Sequence, residues 1–306
     1  MVNTTQKHRT LSPEINNWIE QRTSSFIKNN EHVGNIVPTL KLIEANAFMF
    51  LTGKRYDPKA KNFIISIPET KTKIFNPGLM LGKLSYAYHI IQDIVAKQGH
   101  ILFVGTNVDT IKDLIQERAV ATNSFYVNKR WLGGTLTNFK TVSKSIKKLN
   151  DFTRLQTSEA WSKYNKKEQL EISKKIEKLN KFIGGIKNVG SAGSRISVRN
   201  SIDALVVTDY KREHNAIAEA KQLNIPIISL CNSNTSAADA RIAIPCNTNS
   251  TQTVWLLTNV LFDAVASAQG KDTVIINKSA AEIVLPKQVI KTDVKIINHK
   301  KNTRTF

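Results

Sequence analysis

The densest run of residues with chemistry to offer lies between Lys129 and Lys148. Lys129, Arg130, Lys140, Lys144, Lys147 and Lys148 are basic, and no acid interrupts them. Trp131 and Phe139 interleave aromatic surface, and Gly133-Gly134 lets the backbone turn sharply or approach another molecule closely. Thr135 and Thr137 are residue types that cap a following helix, which leaves N–H groups and positive dipole beside the loop. Cations, flat rings and an open backbone are what a contact with a phosphate chain uses. The same residues also describe a solvated basic helix face with a tryptophan in the core. The run by itself leaves both readings open.

A second constellation is Asp209, Lys211, Arg212, Glu213 and His214. An Asp at a strand end beside a His has the composition of an acid/base pair at the carboxyl edge of a sheet. No nucleophile accompanies it, so the preferred reading is that Asp209 caps a helix whose first turn is exposed. Gly105-Thr106 follows an apolar run at the place where a nucleotide enzyme carries G-x-G-x-x-G or a P-loop lysine. GTNVDT has neither, and one Gly suffices for a strand-to-helix turn. Lys163, Lys166 and Lys167 have few acids beside them and either reach phosphates or face water. The two cysteines, Cys231 and Cys246, form no CxxC, and the histidines at 8, 32, 89, 100, 214 and 299 are scattered. The expectation is no disulfide framework, no metal, no cofactor and a reducing compartment.

These residues need elements to hold them. Continuous apolar strands are expected at Ile101–Val104, Phe125–Val127, Ala204–Val207, Ile227–Leu230 and Arg241–Ile244. Helical spacing separates them: Gly78–Lys97 (ended by Gly99 as a residue free to take positive φ), Ile111–Ala119, Ala216–Leu223 and Val254–Ala268. Alternation of this kind predicts an α/β fold, a doubly wound parallel sheet of flavodoxin-like or Rossmann-like type covered on both faces. The alternation breaks at 138–186. Val142, Ile146 and Leu149, then Ile172, Ile176, Leu179, Ile183 and Ile186, mark two amphipathic helices with a narrow seam. They predict an antiparallel coiled-coil hairpin inserted between the second and third core strands. The division expected is an N-terminal extension at 1–37, an α/β body at 38–137 and 187–270, the hairpin at 138–186, and a Lys-rich C-terminal extension at 271–306 lying on a partner. Within the N-terminal extension, Pro13 suits a helix start, with Ile15, Trp18, Ile19 and Phe26 on one side.

The totals agree with an anionic partner. Forty-four Lys plus Arg against 24 Asp plus Glu give a net charge of +20, which favours nucleic acid through long-range attraction and counterion release. No apolar run approaches a bilayer span, and no helix shows an interfacial Trp/Lys face, so no membrane is expected. Residues 1–22 lack a signal-peptide apolar region, and Glu14 and Glu20 argue against a transit peptide. Abundant Lys, Asn and Ile fit an AT-rich gene, organellar or bacterial.

Tyr126 to Leu149, YVNKRWLGGTLTNFKTVSKSIKKL, resembles the signature of the bacterial and organellar family of small-subunit ribosomal protein number two. ILFVGT (Ile101–Thr106), GGIK (Gly184–Lys187) and the stretch Ala204–Leu230 resemble that family's first strand, hairpin end and following strand–helix–strand. The resemblance covers about 40–269. It implies a non-enzymatic structural constituent of the small ribosomal subunit that binds rRNA and neighbouring small-subunit proteins in translation, with mRNA-binding factors as further partners. It implies RNA-facing roles for Arg130, Trp131, Asn138 and Lys140. Lys54, Arg55, Tyr56 and Pro58 follow the family's basic-aromatic pattern, so Lys54 and Arg55 join the RNA-binding set. The family's His-x-Gly-His element is not matched: Phe48 and Leu51 stand where its histidines would be. The added ends and the codon-like bias place the chain in a mitochondrion, with plastid and bacterial cytoplasm as alternatives. The rival function is a doubly wound enzyme acting on a small phosphorylated ligand.

Overall fold

The computed structural model describes residues 13–29, 36–49, 57–67, 73–187, 202–235 and 237–287. The elements are α1 (Pro13–Asn29), α2 (Thr39–Glu44), β1 (Ile64–Ser66), β2 (Lys73–Phe75), α3 (Pro77–Ala96), β3 (Ile101–Val104), α4 (Asp109–Ala121), β4 (Phe125–Val127), α5 (Phe139–Thr157), α6 (Lys166–Ile183), β5 (Ala204–Val207), α7 (His214–Gln222), β6 (Ile227–Cys231), β7 (Ile242–Pro245) and α8 (Thr251–Ala268). Five strands form a parallel sheet in the order β4-β3-β5-β6-β7. The chain moves outward from β3 to β4, then crosses back over β3 to β5. The reversal of direction lies between β3 and β5, the place where doubly wound folds open a ligand crevice.

Alternate residues of the strands feed two cores, as the two-residue period requires. Ile101, Phe103, Val206, Ile228, Ile242 and Ile244 meet α3, α4 and α8 on one face, where Phe103 stacks on Phe262 with ring centroids 3.8 Å apart. Leu102, Val104, Leu205, Val207 and Ile227 meet α7 and the base of the α5–α6 hairpin on the other. Helix α1 joins the first core through the fully buried Ile19, with Trp18 packed against it; the side chains of Ile15 and Phe26 lie outside the described residues. Strand β1 pairs with β2 in a separate antiparallel ribbon.

Three expectations are corrected by the packing. The left-handed residue after α3 is Gln98, with φ 59°, and not Gly99. Gly99 is required for space: a Cβ there would lie 2.6 Å from Ile94 Cγ2 and 2.8 Å from the Ile94 carbonyl oxygen. Gly105 likewise serves close approach, since its Cβ would collide with Ile115 and come within 2.5 Å of Thr208 Oγ1. The third concerns the C-terminal segment. Residues 271–287 lie on the chain's own body: Ile275 and Ile283 are buried, and Gln252 Nε2 donates to the Pro286 carbonyl at 2.9 Å. Val274, Ile275 and Ile276 are not a strand. Their N–H groups donate to the buried Asp263 carboxylate at 2.6–3.1 Å, which also faces the Arg118 guanidinium at 2.5 Å. Residues 288–306 lie outside the described residues.

The hairpin leaves the sheet between β4 and β5, as the broken alternation predicted. Its seam is unevenly dry. Val142, Ile146, Leu149, Ile183 and Ile186 are buried at the base, whereas Ile172, Ile176 and Leu179 are half-exposed. Two helices alone cannot cover both sides of a seam, so burial falls off away from the sheet.

Candidate nucleic-acid interface

The loop joining β4 to α5 holds the RWLGGTLTNF segment, and its organiser is an acid that the sequence did not mark. Glu219, half-buried on α7, presents both carboxylate oxygens to the loop. Oε1 accepts from Trp131 Nε1 at 2.9 Å and from the Gly134 N–H at 2.8 Å. Oε2 accepts from the N–H groups of Leu136 at 2.9 Å and Thr137 at 3.2 Å, and from the Thr137 hydroxyl at 3.3 Å. Burial pushes this carboxyl upward, but the Trp131 indole and the three backbone donors outweigh it and hold the group below the ordinary carboxylate range. Gly134 turns the loop at φ 83°, a conformation that penalises a side chain.

This arrangement changes the expected chemistry of the loop. Its N–H groups already surround an internal anion, so they are not a phosphate cradle. The threonines are not helix caps either: Thr135 Oγ1 donates to the Leu132 carbonyl, Thr137 turns to Glu219, and Asn138 occupies the position before α5. Trp131 is buried with its ring in the second core, which corrects the expectation of aromatic surface open to RNA. Its role is to fix the loop.

Facing outward are Arg130, Asn138, Lys140, Lys144, Lys147 and Lys148, all exposed, with Lys129 half-buried beside them. At 100° per residue, positions 140, 144, 147 and 148 fall within an arc of about 100° on α5, opposite Val142, Ile146 and Leu149. The stripe runs about 12 Å along the axis at 1.5 Å per residue. Among the described residues none of these four lysines has a carboxylate within ion-pair distance; Lys148 Nζ lies 5.6 Å from the Phe152 ring centroid. The structure therefore brings together all of the loop and α5 residues expected from sequence except Trp131. Lys54 and Arg55 lie outside the described residues. Of the pair Phe48 and Leu51, Phe48 is fully buried and Leu51 lies outside the described residues. At the hairpin tip Lys163, Lys166 and Lys167 are exposed.

The crevice between β3 and β5 is filled from within. The Thr106 N–H and hydroxyl both donate to Glu213 Oε1, at 2.8 and 2.6 Å, where a doubly wound enzyme would hold its ligand's phosphate. Burial of Glu213 raises its carboxyl above the ordinary range against the opposing pull of Thr106. Asp209 Oδ1 accepts from the N–H groups of Lys211 at 3.0 Å and Arg212 at 3.3 Å, capping the turn before α7, while His214 is exposed. Cys231 and Cys246 are buried free thiols, and burial pushes Cys231 up to about 12. Among the described residues no helix is long and apolar enough to cross a membrane.

An α/β body whose crevice is occupied by its own carboxylate, and whose basic loop and helix face solvent, has the build of a doubly wound binding protein. The family model described as ribosomal protein S2 matches residues 42–268, and the chain belongs to that family. It is 38% identical over 287 residues to the small ribosomal subunit protein uS2 of Ureaplasma urealyticum, covering 92% of this chain and 76% of the relative. The uS2 protein of Mycoplasmoides gallisepticum is 38% identical over 267 residues (86% and 80% covered), and that of Mycoplasma genitalium 37% over 280 residues (90% and 93% covered). These relatives are bacterial. They lend no support to the mitochondrial placement expected from composition and added ends.

Proposed function

We propose that this chain is a structural constituent of the small ribosomal subunit, binding its rRNA and neighbouring proteins, and that it works in the bacterial cytoplasm. Family membership supports the class of function. The observation that carries the mode of binding is the unpaired lysine stripe of α5 continuing from a loop that Glu219 holds rigid. Lys129, Arg130, Asn138, Lys140, Lys144, Lys147 and Lys148 supply the phosphate-facing groups, and Lys54 and Arg55 extend the set. Trp131 acts behind them as a positioning residue. Neutralising phosphates in this way releases counterions and needs no catalytic step. The hairpin of 138–186 is the arm that carries the stripe away from the body, with a coiled-coil seam as its internal support.

The test is co-sedimentation with small subunits. The wild-type chain is expected in the subunit peak. A chain with Arg130, Lys140 and Lys144 all reversed to Glu is expected to remain free while keeping its circular dichroism spectrum. A reversed chain that still enters subunits at the wild-type level would remove the stripe from the interface.

A further inference from the structure

A cleft of about 340 Å³ opens at the outer edge of the sheet, between α4, the carboxyl end of β4 and the inner end of α6. Its volume suits one nucleotide or a ligand of similar size. The walls are chemically mixed. Lys129 stands at the strand end and Lys181 on α6, so cationic groups come from two separate elements. Tyr126 and Phe182 are the aromatic residues of the lining, and Gln116, Asn180 and Glu177 are further polar ones. Gln116 Oε1 is engaged by Asn128 Nδ2 at 3.1 Å, and Asn128 Nδ2 also donates to the Lys112 carbonyl at 2.8 Å. That contact leaves the Gln116 amide hydrogens without a hydrogen-bond partner among the described residues. Burial alone raises the Tyr126 phenol. Gly185 keeps the cleft narrow, because the turn after α6 (Gly184–Ile186) reaches β4 so closely that a Cβ there would strike the Tyr126 carbonyl oxygen.

We propose that this cleft receives a single unstacked nucleotide of RNA, its base against Tyr126 and Phe182 and its phosphate between Lys129 and Lys181. The inference rests on the RNA-binding reading above and adds a second, differently built contact to it. The α5 stripe meets phosphates on an open helix face. The cleft, bounded by rings and amide groups, takes a base that has left its stack, the form in which single-stranded RNA shows its edges. Glu177 and the Gln116 amide supply an acceptor and a donor for those edges. Because Lys129 borders both sites, a strand running along the loop passes the mouth of the cleft.

The experiment is photocrosslinking of the full chain with three probes: free 4-thiouridine monophosphate, a single-stranded oligouridine carrying one 4-thiouridine, and a duplex in which that residue is paired. Crosslinked residues are mapped by mass spectrometry, and total RNA retention is read by filter binding. The single strand is expected to crosslink at Tyr126 or Phe182, the free nucleotide more weakly, and the duplex not at all. Lys181→Ala is expected to weaken the cleft crosslink about tenfold, the usual scale for losing one charged hydrogen-bond partner, with filter retention nearly unchanged. Tyr126→Phe, which keeps the ring and the packing, retains the base contact and serves as the folded control. Crosslinks confined to α5, or equal cleft crosslinking in Lys181→Ala, overturn the cleft while leaving the stripe intact. Crosslinking by the free nucleotide with none by the strand overturns the assignment to RNA. A wild-type chain that retains no RNA on the filter overturns the RNA-binding reading itself.

Discussion

Replacing Glu219 tests whether an internal anion, and not a bound phosphate, shapes the basic loop. Its two oxygens accept from Trp131 Nε1, from the N–H groups of Gly134, Leu136 and Thr137, and from the Thr137 hydroxyl. In Glu219→Ala the exposed Thr137 donors turn to water at little cost. The indole of buried Trp131 and the N–H of buried Leu136 have no such recourse. Each buried donor left unmade costs roughly 1–3 kcal/mol, so the substitution should destabilise by about 3 kcal/mol. Glu219→Gln keeps one carbonyl oxygen but turns an NH₂ towards donors on the other side, and about half of that loss is expected. The pH dependence has a definite sign. The carboxyl is held below its ordinary value in the folded chain, so its contribution is complete above the unfolded pKa and disappears as pH falls through the folded one. The alanine variant should therefore differ from wild type at neutral pH and converge with it in acid. Urea unfolding at neutral and acidic pH measures the energies, and hydrogen exchange at Gly134, Leu136 and Thr137 reports the loop directly. A neutral-pH loss below about 0.5 kcal/mol, the scale of an ordinary surface change, or unchanged protection at those amides would refute the reasoning.

Other outcomes follow from the same contacts. Gly185→Ala drives a methyl into the Tyr126 carbonyl and to 2.8 Å from its ring, so the hairpin base must shift. A loss of about 1–3 kcal/mol is expected by thermal or urea unfolding, against the near-neutral result expected at Gly133, whose Cβ would meet nothing within 4 Å. Asp263→Ala strands a nearly buried Arg118 and three N–H groups. It should cost about 3–5 kcal/mol and, by loosening the 274–276 backbone, speed limited trypsin cleavage after the already exposed Lys271 and Lys278 relative to wild type. Glu213→Gln keeps an oxygen for both Thr106 donors and removes a buried carboxylate whose pKa is raised. A raised acid stabilises the fold below the unfolded pKa and loses that contribution as pH rises through the folded one. The glutamine chain should thus equal or exceed wild-type stability at neutral pH, and a marked loss in urea unfolding would show that the charge itself is needed.

Much of the architecture was legible in the chain because the signals are local. ILFV, ALVV and IISL are short apolar runs bounded by turns, and the helices between them keep their spacing, so strand number and the parallel sheet follow from the pattern. The lysine stripe was legible for the same reason: positions 140, 144, 147 and 148 share a face in any α-helix. Membership of the ribosomal family rested on a long contiguous segment and needed no tertiary structure. Tertiary structure decided what each residue type does. Glu219 and Asp263 are ordinary acids in sequence, and they become organisers only because α7 and α8 bring them beside the N–H groups of the 131–137 loop and of residues 274–276. Trp131 reads as a possible stacking surface until the same acid draws its indole inward. Gly99 and Gly105 read as turn residues, and packing across elements shows them, like Gly185, to be points of contact. In each case the deciding interaction joins residues remote in the chain, and no local pattern carries information about a partner that only folding supplies.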